Sequence, residues 1–328
     1  MNRTTLITNF TTVVALLFLS CSDDKPTGPT EREPTVTTAP ITRVTSFTAG
    51  SGGEVTSDGG KAVTARGICW STIDPPTIND YNSIDGSGTG DFTSSLSGLA
   101  GATTYYVRAY ATNWIGTGYG STRFFTTPAT VSDIDNNEYA TVVIGSQTWM
   151  AENLKVTRFR NGDFLPLVTD GLTWEGLTTA AYCEYDNNAA NVVTYGRLYN
   201  WYAVSDDRNI APTGWHVPTD AEWQLLVDYL GGWETAGTKL KEAGLVHWAS
   251  PNTGATNESG FSALPAGQRI NGTYQGKDSS AFFWTSTQDS YITAPYWMLT
   301  SENVGAYRDV DPNQEGFSVR CVKNQPTP

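Results

Sequence analysis

Apolar positions run without interruption from Val13 to Leu19, and no later segment approaches that length. From Val36 to Thr127 the pattern changes to short alternating segments between Gly-rich turns: Ala62 to Trp70, Phe92 to Leu96, Thr104 to Ala111 and Arg123 to Phe125. A period of two broken at such spacing predicts an antiparallel sandwich. After Ala129 the pattern is mixed. An alternating strand is expected at Thr141 to Ile144, followed by the segment Gln147 to Leu154, and strands return at Phe282 to Thr285, Tyr296 to Leu299 and Phe317 to Val322. Thr219 and Glu222 have the spacing of a reciprocal helix cap, Trp223, Leu226, Val227 and Leu230 then share one helical face, and Gly231 ends it. A second, shorter helix is expected from Glu234 to Ala243, stopped by Gly244. From His247 to Lys277 no period is sustained, which predicts long ordered loops. The fold class is multidomain, an all-β sandwich followed by an α+β domain with long loops.

The apolar stretch at the N-terminus follows Arg3 and is far shorter than the roughly 18–20 residues of a spanning helix, so residues 1–20 read as a signal peptide. Leu17-Phe18-Leu19-Ser20-Cys21 resembles the lipobox of bacterial lipoproteins, in which the cysteine is acylated and becomes the mature N-terminus. Phe18 stands where Leu is commoner. Ser22-Asp23-Asp24 resembles the surface-export signal of some outer-membrane lipoproteins. The expectation is a protein held at the outer membrane, surface-exposed, by acyl chains on Cys21, each buried methylene contributing about 0.8 kcal/mol. Residues 21–34, rich in Pro and nearly free of apolar side chains, read as a tether. Residues 35–128 and 129–328 then form two domains.

Thirty-three acidic against twenty basic residues give a net charge of −13, which excludes nucleic acid as a partner. The 32 glycines, 16 tyrosines and 11 tryptophans favour β-structure with many turns. Gly116-Thr117-Gly118-Tyr119-Gly120 has no helix after it, lacks the context of a phosphate loop, and reads as a turn.

Leu99-Ala100-Gly101-Ala102-Thr103-Thr104-Tyr105-Tyr106-Val107-Arg108-Ala109-Tyr110 resembles the approach to strand F of a fibronectin type III domain, with Tyr105 at the corner position. That family spaces and presents other domains. In the second domain, Trp149-Met150-Ala151-Glu152-Asn153-Leu154, Tyr195 to Ala203, Gly214 to Trp223, Asn257-Glu258-Ser259-Gly260-Phe261 and Gly316-Phe317-Ser318-Val319-Arg320-Cys321-Val322 resemble the Fibrobacter succinogenes major paralogous domain, in the family's order. Pro218 to Trp223 together with the final Gly-Phe-x-x-Arg also resembles sulfatase-modifying factor domains. The resemblance implies a C-type-lectin-like fold, with paired terminal strands, flanking helices and a loop-built binding face. It implies no formylglycine-generating activity, because that chemistry needs a pair of active-site cysteines and this domain has only Cys183 and Cys321. In a lectin-like fold those two sit where a bridge would join the first helix region to the last strand, so a disulfide is expected. Cys69, without a mate, reads as a buried small hydrophobe.

No other constellation points to catalysis. His216 and His247 are too scattered for a metal helix, no nucleophile elbow exists, and Asp206-Asp207 and Glu184 with Asp186 read as solvated loop charges, so the chain is not expected to be an enzyme and needs no cofactor. Asp133, Asp135 and Asn137 have the opening spacing of a Ca2+ loop, but Glu138 replaces the turn glycine and Ile144 the bidentate acid. A solvated turn is the better reading, with Ca2+ as the alternative. Loops that mix aromatics with Asn, Asp and Glu suit carbohydrate, since rings stack on apolar sugar faces while amides and carboxylates bond hydroxyls. Trp248, Asn252, Asn257, Glu258, Trp284, Tyr296, Asp309 and Asp311 are the candidates. The function expected is therefore non-catalytic binding or adhesion to an extracellular polymer, a glycan first. A structural surface subunit or a protein-binding module is the alternative, and an unrecognised hydrolase stands third.

Overall fold

The computed structural model describes Met1 and residues 31–325; Cys21, the signal peptide and the tether up to residue 30 lie outside the described residues. Among the described residues no helix is long and apolar enough to cross a membrane.

Eight strands build the first unit: β1 (Thr35–Thr38), β2 (Ala49–Ser57), β3 (Ala65–Ser71), β4 (Tyr81–Asn82), β5 (Gly90–Leu96), β6 (Thr104–Thr112), β7 (Thr117–Tyr119) and β8 (Arg123–Thr126). One sheet has the order β1-β2-β5 and the other β4-β3-β6-β7, with β8 also pairing β6. Alternation places Phe92, Ser94 and Leu96 of β5 inward, against Val36, Val55, Ile68, Val107 and Ala109. The Tyr105 hydroxyl accepts the Ala100 amide at 3.0 Å, the bond that pins the corner between sheets in fibronectin-type sandwiches. Contrary to the turn expected there, the glycine run 116–120 contains strand β7. A Cβ on Gly118 would lie 1.8 Å from the Pro34 carbonyl oxygen, so its bareness admits the entering N-terminal segment.

In the second unit β9 (Thr141–Ile144), β10 (Gln147–Met150), β11 (Trp215–His216) and β17 (Val322–Lys323) form a sheet of order β9-β10-β17-β11. A five-stranded sheet contains β12 (Ala266–Ile270), β13 (Thr273–Lys277), β14 (Ser280–Trp284), β15 (Thr293–Thr300) and β16 (Tyr307–Pro312), in the order β13-β12-β14-β15-β16. Helix α1 (Asp220–Tyr229) carries the reciprocal cap: Thr219 Oγ1 accepts the Glu222 amide at 3.2 Å and Glu222 Oε2 accepts the Thr219 amide at 2.8 Å. Its face Trp223, Leu226, Val227 packs on Trp149, Phe261, Phe283 and Trp297.

Three segments depart from expectation. The second helix, α2, covers only Ala236–Leu240. It stops because Lys241 turns extended and buries its ammonium on the carbonyls of Thr253, Thr300 and Asn303 at 2.8–3.0 Å. The supposed loop from His247 to Lys277 ends in the β12–β13 hairpin, whose turn residues Asn271 and Gly272 have φ of 48° and 70°; an Asn-Gly pair is a strong hairpin signal. Of Phe317 to Val322 only Val322 enters a regular strand, since Phe317 is wedged between Trp284 and Tyr296, 4.3 and 4.8 Å between ring centres.

The expected Cys183–Cys321 disulfide is absent; both thiols are free and buried. Cys183 packs in a small cluster with Trp174, Tyr185 and Leu198, whereas Cys321 belongs to the separate core around Tyr199, Trp284 and Phe317. Burial pushes the Cys183 thiol up to about 11, so neither group is poised for oxidation. Cys69 is buried, as expected of a small hydrophobe. Alkylation under denaturing, non-reducing conditions should add one label to each of Cys69, Cys183 and Cys321; a peptide linking Cys183 to Cys321 would refute this packing.

Arg320 is buried among rings of Phe261 and Phe283, with its guanidinium carbon 4.2 and 5.5 Å from their centres. It donates to Asn153 Oδ1 at 3.0 Å, to Ser262 O at 3.1 Å and to Phe261 O. Replacement by Met should leave three buried acceptors unpaired and cost roughly 3–5 kcal/mol in a urea titration. A loss under about 1 kcal/mol would show that the contacts are dispensable.

Candidate binding cleft

The residues expected to bind ligand are not brought together. Trp248 and Trp284 are buried and their indole N–H groups donate to Ala263 O at 2.9 Å and Tyr199 O at 2.8 Å, so neither ring has a face free for a sugar. Asn252 is buried and bonds the carbonyls of Glu242 and Gly244. Asn257, at φ 52°, spends its carboxamide on the Ser262 amide and hydroxyl, which shapes the loop. Tyr296 is buried beside Asp311, and Asp309 is exposed on β16, opposite Tyr296 in register. Glu258 lines a cavity of about 500 Å³ and Asn257 a smaller one of about 280 Å³.

The metal candidates do not converge either. Asp133 is buried, and its carboxylate accepts the amides of Asp135 and Asn137, the Asn137 side chain and the Tyr139 hydroxyl. Asp135 is spent on Thr157 and Arg158. These bonds hold the turn with protein donors in place of a cation, and among the described residues no three acidic, histidine or cysteine groups could hold a metal. The loop acids are likewise engaged: Asp206 with Arg208 at 2.7 Å and Glu184 with Arg197 at 3.1 Å. His216 joins Glu222 at 2.9 Å to Asn324 at 2.7 Å, and these bonds, with Glu222 first, raise its pKa.

A coherent opening lies between the two units. Thr45 forms an antiparallel bridge with Val142, Ser46 N donates to Thr141 O at 3.1 Å, and Thr141 N donates to Ser46 Oγ at 2.9 Å. The first unit is therefore docked on the outer edge of β9 and is more than a spacer. Where this pairing ends, a cavity of about 500 Å³ opens between Ile41, Thr42, Arg43 and Val44 on one side and Val143, Ile144, Tyr229, Lys239, Glu258 and Ser259 on the other. Tyr229 is 66% exposed and its ring lies over Gly145, where a Cβ would approach it to 3.0 Å. Lys239 stands 3.9 Å from Glu258. The cleft thus offers an aromatic face, aliphatic walls and charged groups around its rim. Tyr229 escaped the sequence reading although it falls off the apolar stripe of α1, which is the signal that would have marked it as an exposed ring.

The match to a family model decides membership: residues 142–323, more than half of the chain, fit the Fibrobacter succinogenes major domain. The chain belongs to that family. The family segment supplies Tyr229, Lys239, Glu258 and Ser259, and the sandwich before it supplies the opposite wall. No curated protein sequence matches this Fibrobacter succinogenes major domain protein. Among solved structures, the sensor domain of the anti-sigma factor RsgI4 of Pseudobacteroides cellulosolvens is 16% identical, covering 30% of this chain and 97% of that one, with a TM-score of 0.24. The sixth fibronectin type III domain of human fibronectin type III domain containing protein 3 is 27% identical, covering 31% and 88%, with a TM-score of 0.22.

Near the C-terminus of the family domain, burial pushes Glu315 up to about 7, with only the Asn271 amide bonded to it and Asp311 and Glu175 adding repulsion. The folded pKa lies above the unfolded value, so the folded state holds a proton that the unfolded state releases, and stability falls as pH rises from about 4.5 to about 7. Glu315→Gln keeps an acceptor for Asn271 and should abolish that fall, raising the urea midpoint at pH 8 but not at pH 4. Equal pH slopes in both proteins would show Glu315 to be unperturbed.

Proposed function

We propose that this chain is a lipid-anchored protein of the outer-membrane surface that binds an extracellular glycan, without catalysis, in the cleft between its two domains. The observation that carries the reading is the cleft itself, which joins the exposed Tyr229 ring to hydroxyl and charged groups contributed by both domains. Pyranose rings present an apolar face and a polar edge, and this pairing of groups answers both. The anchor rests on the Cys21 motif.

A C-type-lectin-like second domain accords with the pairing of an early strand and the last one, Trp149 opposite Val322, with α1 against the sheet. The non-catalytic reading is supported by the chemistry of the cleft, which contains one carboxylate, Glu258, and a serine, Ser259, whose hydroxyl donates to Lys239 O at 2.7 Å instead of facing a base. A second reading, docking of a protein partner, is favoured by Val143, 58% exposed on the outermost strand β9.

The test is binding of the full chain to plant, host and bacterial polysaccharides, with calcium and with chelator. Tyr229→Ala should lower affinity at least about tenfold while shifting stability by no more than about 0.5 kcal/mol, because the ring is largely in water. Chelator should change nothing, since Asp133 and Asp135 are occupied by protein donors. Binding untouched by Tyr229→Ala would remove the cleft from the reading, and no binding to any polysaccharide would favour the protein partner.

A further inference from the structure

Arg43 occupies an unusual position in the wall of the cleft. Its backbone lies at φ 51°, a left-handed conformation that costs a non-glycine residue about 1 kcal/mol or more and persists where the surroundings enforce it. The next residues along the chain are those docked on β9, so the strain belongs to the segment that holds the two domains together. The side chain runs over Gly50: a Cβ there would fall 2.7 Å from Nη2 and 2.8 Å from Nε, so the bare glycine admits the guanidinium.

Arg43 lines both the cleft of about 500 Å³ and a neighbouring cavity of about 280 Å³ bounded by Thr45, Thr48, Ser95, Glu242 and Asn257. Among the described residues it is in no ion pair within 4.0 Å and makes no side-chain hydrogen bond, although acids outnumber bases in the chain by 33 to 20. The acids lining these two cavities pair elsewhere: Glu242 is bonded to His247 at 2.9 Å, and Glu258 is turned to Lys239 at 3.9 Å. A planar five-donor group, held at a strained position and left without an acceptor, matches carboxylate or sulfate geometry.

We infer that the cleft selects a polysaccharide bearing anionic groups, carboxylate or sulfate, with Arg43 as the residue that recognises the anion. The inference rests on the glycan reading of the same cleft. Lys239, on the opposite wall, adds a second positive group along the path of the chain.

Matched pairs isolate the charge: polygalacturonate against its methyl ester, and dextran sulfate against dextran, each titrated onto the full chain at constant ionic strength. At least one charged member should bind about tenfold or more tighter than its neutral partner. Arg43→Gln should bring that ratio near one. Gly50→Ala, which keeps the charge but displaces the guanidinium, should reduce the ratio as well, and guards against a folding defect peculiar to position 43. Neutral and charged members binding alike, with both dependent on Tyr229, would overturn the anion selectivity alone. A charge preference retained in Arg43→Gln would also overturn the assignment to Arg43. Absence of binding to all four polymers would defeat this inference and count against the glycan reading together.

Discussion

Arg320 is the constraint on which the family domain depends. A guanidinium in a core is tolerated only when its donors are met, because an unpaired buried charge costs far more than any single contact returns. Its acceptors come from far apart in the chain: the Asn153 carboxamide, and the carbonyls of Phe261 and Ser262. Asn153 in turn donates to Tyr195 O and Ser318 Oγ. The recurring segments around residues 149–154, 257–261 and 316–322 are thus parts of one hydrogen-bonded node. Their spacing along the chain is an expression of packing, and it carries no information about ligand. Arg269 repeats the device on a smaller scale, bonding the carbonyls of Val168, Thr169 and Gly272 between the rings of Trp174 and Tyr274.

That node explains why the aromatic residues of this domain are poor guides to a binding face. Tryptophans cluster where long loops need covering, and their indole N–H groups close onto loop carbonyls, as Trp201 does on Thr285 and Trp248 on Ala263. Several rings stay exposed, among them Phe164, Trp233 and Tyr291, and Tyr229, which lines the cleft, sits on the outward side of a helix whose other side is committed to the core. The cavity at the seam between domains is where the two units approach without filling the space between them. The first unit then has a double role: its segment from Ile41 to Ser46 completes the edge of β9 and walls the cleft.

How much was legible in advance follows the range of the interactions involved. The capped helix, the sandwich strands and the Tyr105 corner were readable because each is decided by neighbours a few residues away, through periodicity and local hydrogen bonds. The β12–β13 hairpin carries a local signal in Asn271-Gly272, masked by flanking polar residues of the kind that make loops. The site was mostly not legible. Glu258 is legible in its loop, and Tyr229 only by its place off the apolar stripe of α1, whereas nothing in the local sequence of Arg43 and Lys239 distinguishes them from ordinary surface residues.

By itself the sequence determined the mostly β, multi-sheet character of the chain and the family through its spaced motifs. Only the tertiary structure decided which tryptophans are buried, that Cys183 and Cys321 lie in different cores, and that the Asp133 turn is filled by its own donors. The reason is physical. Composition and period report how each residue partitions between water and protein on average, whereas a thiol's partner, a carboxylate's donors and the exposure of a ring depend on which distant segments close over it.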